Sequence, residues 1–160
     1  MTERNPAASA NTSNMTKIRL VGSRPSDIET LWATPLGADL YRLENSPFFA
    51  YGISWQDVIE AKRHSESDVP EFVRRVRKSG NRTLRVIFEN SRLAEPTAQT
   101  VLRELQRLGC SYEGMQPHLV AVNVPPEARI EEVTGYLAAQ PQLQWEYADP
   151  TYDEVQRSIM

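Results

Sequence analysis

The pattern of apolar residues changes its period once along the chain, at Ser79-Gly80-Asn81. Before this point, apolar and polar residues alternate in short segments, and no segment has the spacing of a helix. After it, alternating segments are interspersed with segments whose apolar residues recur every three or four positions. This change predicts an α+β protein in two parts, in which an all-β part is followed by a part that mixes strands and helices.

The segment between residues 16 and 80 contains five short candidate strands, separated by turn residues such as Gly, Pro, Asn and Asp. Strands of this length and spacing, with no helix between them, are typical of a small barrel or sandwich. We therefore predict a small all-β, barrel-like domain over residues 16–80. The five strands are predicted at residues 18–21, 29–33, 40–43, 57–61 and 71–77.

The segment over residues 81–150 has the order β-α-β-β-α-β. Its first helix begins at Pro96 and ends at Gly109, because Pro suits the first turn of a helix and Gly its C-terminal end. Its second helix follows Pro125-Pro126. This order is that of the ferredoxin-like motif, in which both helices cover one face of a four-stranded antiparallel sheet. We therefore predict a ferredoxin-like α+β domain over residues 81–150.

Composition excludes several classes of protein. The 160 residues are 40% hydrophobic and 24% charged, so the chain is globular, with a disordered tail predicted at residues 1–15 and a C-terminal tail at 151–160. No apolar run approaches the roughly 20 residues of a membrane helix, and we expect no secretory signal. A single cysteine, Cys110, excludes an internal disulfide and fits a reducing compartment. These observations predict a cytoplasmic protein.

Charge is distributed unevenly along the chain. The formal net charge of −3 is the sum of −2 over residues 1–61, +5 over residues 62–92 and −6 over residues 93–160. A basic middle therefore separates a mildly acidic start from a strongly acidic end. Such fields steer charged partners towards a protein, but they do not determine its fold.

Four blocks of the sequence are distinctive when taken together: LWATPLG at 31–37, LYRLENSPFFAYG at 40–52, RKSGNRTLRV at 77–86 and LGCSYEG at 108–114. They resemble an uncharacterised bacterial family that is known only as a domain of unknown function. The resemblance extends over about residues 17–149. It implies no activity, cofactor or catalytic residue. Some members look like immunity proteins that neutralise toxins, so the resemblance implies a similar role as an expectation.

Two kinds of residue are candidates for binding a partner protein. Aromatic residues are dense over residues 47–55, and Tyr and Trp combine apolar area with a polar group. Phe side chains are usually buried, so Phe48 and Phe49 are expected in the core. The binding candidates in this segment are therefore Tyr51 and Trp55. Acidic residues near the end of the chain are suited to a basic enzyme surface, although a solvated helix face is the alternative. The predicted partner-binding residues are Tyr51, Trp55, Glu131, Glu132 and Glu146.

The basic middle of the chain suggests an alternative function in binding nucleic acid. Its Lys and Arg side chains are suited to phosphate contacts, although they also suit a solvated strand edge whose charges prevent aggregation. The net acidic charge of the whole chain favours the second interpretation, because nucleic-acid modules are usually basic. The candidate nucleic-acid-binding residues are Arg74, Arg75, Arg77, Lys78 and Arg82.

The sequence contains no recognisable catalytic or metal-binding motif. G-x-S-x-G, P-loop, H-E-x-x-H, G-x-G-x-x-G and calcium-loop patterns are absent. Two histidines and one cysteine are too few for an ordinary structural zinc site. His64 and His118 have no sequence partner that suggests a catalytic triad, and Cys110 is expected to be a buried structural thiol. We therefore predict a non-enzymatic protein without a cofactor or metal.

The leading hypothesis from the sequence is a bacterial cytoplasmic binding protein. It is an immunity-like inhibitor that neutralises a partner toxin or enzyme by occluding its active surface. The small size, the absence of catalytic motifs, the segregated charge and the aromatic segment support this hypothesis. The alternatives are a nucleic-acid or ribonucleoprotein accessory factor, and a small-molecule binder or enzyme in a groove between the two halves. No membrane partner is expected, and the oligomeric state is left open.

Overall fold

A computed structural model describes residues 6, 14–22, 24, 26–66, 68–115 and 117–160. Apart from residues 6, 14 and 15, the predicted tail at 1–15 lies outside these described residues. No helix in the described ranges is long and apolar enough to cross a membrane. The elements are β1 (Thr16–Val21), β2 (Ile28–Gly37), β3 (Leu40–Leu43), β4 (Val58–Lys62), β5 (Glu71–Arg77), β6 (Arg82–Phe88), α1 (Pro96–Arg107), β7 (Ser111–Met115), β8 (Leu119–Val124), α2 (Ile130–Ala138), β9 (Leu143–Asp149) and α3 (Tyr152–Ile159).

The first five strands form a closed barrel in the order β1-β2-β3-β4-β5. Consecutive strands are antiparallel, and the barrel is closed by a parallel contact in which Arg19 of β1 pairs with Glu71 of β5. Alternate residues of each strand point inwards and fill the interior. Of the two predicted alternatives for about five strands, a barrel or a sandwich, the barrel is confirmed. Its buried core consists of Ile18, Leu20, Leu31, Ala33, Tyr41, Leu43, Ile53, Ile59 and Ala61.

The remaining four strands form an antiparallel sheet in the order β7-β8-β6-β9. Leu84, Val86 and Phe88 of β6 are fully buried beneath α1 and α2, as the alternation of β6 predicts. The apolar stripe of α1 and the residues Val133 and Leu137 of α2 complete this core. The protein is thus a mixed α+β structure. Because β9 is last in the order, it forms one edge of the sheet.

The C-terminal residues 151–160, predicted to be a tail, contain the helix α3. Thr151 begins this helix with a capping box: its hydroxyl accepts a hydrogen bond from Glu154 N, and the Glu154 carboxylate accepts one from Thr151 N. These two bonds satisfy backbone donors that a helix N-terminus otherwise leaves without a partner. The helix packs against β9 but buries none of its residues. It therefore lies on the surface beside β9.

Candidate functional site

The connection between β3 and β4, residues 44–57, lies against the second sheet and joins the two parts of the molecule. Ser46 N donates to the carboxylate of Glu113 on β7, and Arg85 Nη1 of β6 donates to Ala50 O (2.6 Å). Gly52 N donates to Ala148 O of β9 (2.8 Å). The connection therefore crosses the sheet from one edge strand to the other. It contacts the face opposite the helices, because Arg85 alternates with the helix-facing residues of β6.

A buried carboxylate shapes this connection. Glu29 of β2 accepts hydrogen bonds from the backbone N–H groups of Phe48, Phe49 and Ala50, at 2.8, 2.8 and 2.9 Å. Charged acceptors form stronger hydrogen bonds than neutral ones, so three such bonds fix the local path of the chain. Tyr51 follows immediately, and its backbone position is determined by this anchor. Phe48 is buried, as its residue type leads one to expect.

Tyr51, Arg85 and Glu146 form a compact unit at the junction between the barrel and β9. The Tyr51 hydroxyl lies 2.9 and 3.0 Å from the two Glu146 carboxylate oxygens and donates to them. Arg85 Nε donates to Glu146 Oε1 (2.9 Å), and its guanidinium lies 4.4 Å from the centroid of the Tyr51 ring. The Arg85 side chain is only 4% exposed, whereas Tyr51 is 56% exposed. A buried cation thus holds an exposed aromatic ring in place.

An open groove of about 820 Å³ runs beside this unit. Four of its lining residues are aromatic and two are acidic. The rings of Trp145 and Tyr147 on β9 meet edge to face, with centroids 5.2 Å apart, and Tyr152 at the start of α3 is 60% exposed. Aromatic side chains of this kind dominate the binding energy of many protein interfaces. The groove is lined by Tyr51, Trp145, Glu146, Tyr147, Thr151, Tyr152 and Asp153.

The structure brings together two of the five predicted partner-binding residues, Tyr51 and Glu146. Trp55 does not line the groove; it is partly buried, and its carbonyl accepts hydrogen bonds from Ser79 Oγ and Asn81 Nδ2. Glu131 and Glu132 lie in the first turn of α2, away from the groove lining, and Glu132 pairs with Arg129 at 3.2 Å. The binding prediction for these three residues gains no support from the geometry of the groove.

Sequence reasoning missed the other lining residues of the groove and the cation beneath it. Trp145, Tyr147 and Arg85 are not among the predicted binding residues, and Tyr152 lies in the predicted C-terminal tail. The signal that was present is the density of aromatics between residues 145 and 152. No local pattern marks Arg85 as buried, because its burial depends on the connection that packs over it.

Four of the five predicted nucleic-acid-binding side chains make contacts within the protein. Arg74 Nε lies 3.0 Å from Glu60 Oε1, and Arg82 donates to the carbonyls of Pro125 and Ala128. Arg75 and Lys78 lie 3.7 and 3.8 Å from Asp149 Oδ1, and Arg75 also donates to Gly52 O. In the described ranges, the side chain of Arg77 makes no such contact. The set therefore does not form one uncommitted basic surface.

A buried polar group lies beneath the junction. Ser54 Oγ donates to Asp149 Oδ2 (2.7 Å) and lies 2.7 Å from Thr83 Oγ1, so it links the barrel connection to β9 and β6. Burial raises the pKa of the nearby Asp57, and the charge of Asp149 raises it further, while backbone N–H groups of neighbouring serines oppose the shift. Ser54, Thr83 and Asp149 are buried, so their hydrogen bonds link the two parts of the molecule and do not face solvent.

The other residues considered for catalysis have structural surroundings. Burial raises the pKa of the Cys110 thiol to about 11, so the thiol is protonated near neutral pH and lacks the reactive thiolate form. His118 Nδ1 lies 3.0 Å from Ser91 O, and His64 Nε2 lies 3.3 Å from Glu71 Oε2. Over the described residues, no group of three His, Cys, Asp or Glu side chains is placed to hold a metal ion.

Comparisons with known proteins show a family and a fold, and they give no activity. A family model described as a domain of unknown function (DUF4265) matches residues 29–147. No curated protein matches the chain. A solved structure of a hypothetical protein from Neisseria gonorrhoeae is similar, with a TM-score of 0.71 and 17% identity, over 83% of this chain and 93% of that one. At this identity, the similarity shows a shared fold.

Proposed function

This chain belongs to the DUF4265 family, a domain of unknown function, and from that premise we propose that it is a non-enzymatic, immunity-like inhibitor that binds a partner toxin or enzyme through the groove. Membership confirms the resemblance that the four sequence blocks indicate. Because the family carries no established activity, the proposal depends on this chain's own residues. The observation that carries it is the open groove, with four aromatic and two acidic side chains along one edge of the molecule.

The exposure and rigidity of the groove support a protein partner. Tyr51 and Tyr152 are more than half exposed, so they offer apolar area to a partner without a change in fold. The Tyr51 hydroxyl donates a hydrogen bond to Glu146, and the Arg85 guanidinium packs against the Tyr51 ring. A side chain that is already ordered loses little entropy on binding, and preorganised aromatics are typical hot spots.

The charge around the groove supports a basic partner surface. Glu146 and Asp153 lie in the groove lining, and residues 93–160 carry a net charge of −6. Acidic side chains such as Glu131 and Glu132 on α2 add to this field, and we assign them a role in steering the partner rather than in the bound contact. Complementary charge accelerates association and fixes the register of a complex. Inhibition follows by occlusion, because a basic enzyme cleft covered by this surface is closed to its substrate.

Two finer assignments accompany the proposal. The four strands β6 to β9 with α1 and α2 constitute a ferredoxin-like unit; the position of β6 between β8 and β9, and the placement of both helices on one face, support this. The setting is a reducing cytoplasm, and the single free cysteine, Cys110, supports this assignment. The contacts of the basic side chains within the protein make nucleic-acid binding the weaker alternative.

Capture of a partner from host lysate tests the proposed function. Purified wild-type protein serves as bait, beside a groove variant, Tyr152→Ala with Asp153→Lys, and a matched variant outside the groove, Glu131→Lys with Glu132→Lys. Nuclease treatment and a moderate-salt wash remove nucleic-acid-mediated binding. We expect one stoichiometric protein with the wild type, a large loss with the groove variant and a smaller loss with the α2 variant.

The outcomes of this capture separate the alternatives. A partner retained equally by wild type and groove variant contradicts the proposed binding site. Material that disappears on nuclease treatment supports the nucleic-acid alternative instead. A thermal shift with small metabolites, but no protein partner, supports a small-molecule binder in the groove. Inhibition itself is tested by co-expression: the wild type should rescue growth in cells that express the captured partner, and the groove variant should fail.

A further inference from the structure

We propose that the free edge of β9 accepts an extended, basic segment of the partner protein as an added β-strand. This inference rests on the proposed function and states the form in which the partner is bound. Strand addition to an exposed sheet edge supplies affinity through backbone hydrogen bonds, and pockets beside the edge supply specificity. Here the edge strand is β9, and the groove beside it is lined by aromatic and acidic side chains.

Among the described residues, backbone hydrogen bonds leave the outer side of β9 open along most of its length. β9 pairs with β6 on one side and is last in the sheet order. Gly52 N, which donates to Ala148 O, is the backbone partner that the described residues supply on the outer side, and it lies at the C-terminal end of the strand. Ala148 is the bulged residue that the β6–β9 register skips. The edge from Leu143 to Tyr147 therefore remains available to a further strand.

The direction of the backbone groups of β9 follows from one hydrogen bond. Glu89 N donates to Gln142 O (3.2 Å), so Gln142 turns its backbone groups towards the β6 side. Because every second residue of a strand turns its N–H and C=O to the same side, Gln144 and Glu146 also bond towards β6. Trp145 and Tyr147 consequently turn their N–H and C=O groups outwards. These are the groups that an added strand would bond.

The two faces beside this edge select different side chains of an added strand. On the helix side lie the partly buried rings of Trp145 and Tyr147. On the other side lies Glu146; its Oε1 pairs with Arg85, and its side chain is 47% exposed, so Oε2, which accepts from the Tyr51 hydroxyl, can also accept from a further donor. Since successive side chains of a strand point to opposite faces, the bound segment would alternate between an apolar residue over the rings and a Lys or Arg near Glu146. Asp153, also in the lining, adds to the preference for cationic residues.

Synthetic peptides test this inference without the natural partner. The probe is an acetylated and amidated heptapeptide in which Lys and Val alternate, added to ¹⁵N-labelled protein. Two further peptides carry N-methyl groups either on every Lys or on every Val, so each removes the N–H groups of one edge only. A peptide with Glu in place of Lys controls for charge. We expect the unmethylated peptide to shift the amide signals of Trp145 and Tyr147 and to slow their hydrogen exchange, with little change at Gln144 and Glu146.

The comparison of the two methylated peptides is decisive. Strand addition predicts that one of them binds about tenfold more weakly than the other, because only one set of N–H groups faces β9. Equal affinity of the two, or no binding of any Lys-Val peptide at millimolar concentration, overturns the inference. The proposed function fails separately, through the lysate capture, if the partner is retained by the groove variant.

Discussion

Replacement of Glu29 by Gln tests whether a buried carboxylate determines the shape of the binding surface. The contacts of the wild-type carboxylate include one N–H at Oε1, from Phe48, and two at Oε2, from Phe49 and Ala50. Gln has the same size but one acceptor oxygen. If that oxygen takes the place of Oε2, the Gln amide group faces the Phe48 N–H, and two donors meet with no acceptor between them.

The magnitude follows from these three bonds. A buried donor without an acceptor costs about 1–3 kcal/mol, and each of the two retained bonds loses roughly 0.5–1 kcal/mol as its acceptor becomes neutral. The free energy of unfolding should therefore fall by about 3 kcal/mol. Because the same bonds position the chain just before Tyr51, binding of the partner should weaken as well.

Urea denaturation followed by circular dichroism measures this loss. The matched control is Glu60→Gln, which removes a surface carboxylate that pairs with Arg74 at 3.0 Å. An exposed pair of this kind contributes roughly 0.2–1 kcal/mol, so the control should remain near wild-type stability. A loss of stability below about 0.5 kcal/mol in Glu29→Gln would refute the reasoning, because it would mean that the Gln side chain satisfies the three N–H groups about as well as the carboxylate does.

Three further predictions concern single residues. Burial raises the pKa of Asp57; its carboxyl ¹³C signal should titrate above the ordinary range of an aspartate, and its contribution to stability should fall as pH rises from the unfolded to the folded pKa, because the folded state holds the proton more tightly. A titration at or below that of an unfolded-chain aspartate contradicts this. Cys110, with a pKa of about 11, should react with iodoacetamide at pH 7 at least about tenfold more slowly in the folded than in the urea-unfolded protein; equal rates would show that the thiol is accessible and ionised. Thr151→Ala removes the capping box and should lower stability by about 1 kcal/mol, with faster amide exchange in α3; unchanged exchange would show that the cap does not hold the helix.

The five strands of the barrel were predictable because their signals are local. Each strand alternates apolar and polar residues, and turn residues separate it from the next. The helix α1 was equally well marked, since it begins at Pro96 and its Ala98, Val101, Leu102 and Leu105 are buried as the periodicity predicts. Local periodicity and turn chemistry thus account for nearly all of the element order.

The binding surface was much less predictable because it depends on contacts between distant residues. Tyr51 and Glu146 lie 95 positions apart, and they meet only because the β3–β4 connection crosses the second sheet. The position of β9 at an edge follows from the strand order, which no single segment specifies. The three N–H groups that Glu29 anchors lie 19 to 21 positions away in the sequence. Two local signals were present but not used: the density of aromatics between residues 145 and 152, and the capping box of α3, Thr151 with Glu154.

The measurement that tests the central claim most directly is the affinity of the captured partner for purified wild-type protein and for the groove variant Tyr152→Ala with Asp153→Lys. Isothermal titration calorimetry gives both dissociation constants, and the α2 variant Glu131→Lys with Glu132→Lys provides the comparison. The groove account predicts that the groove variant binds at least about tenfold more weakly, whereas the α2 variant mainly associates more slowly. An unchanged dissociation constant for the groove variant, together with a large loss for the α2 variant, would contradict the account and place the binding surface on α2.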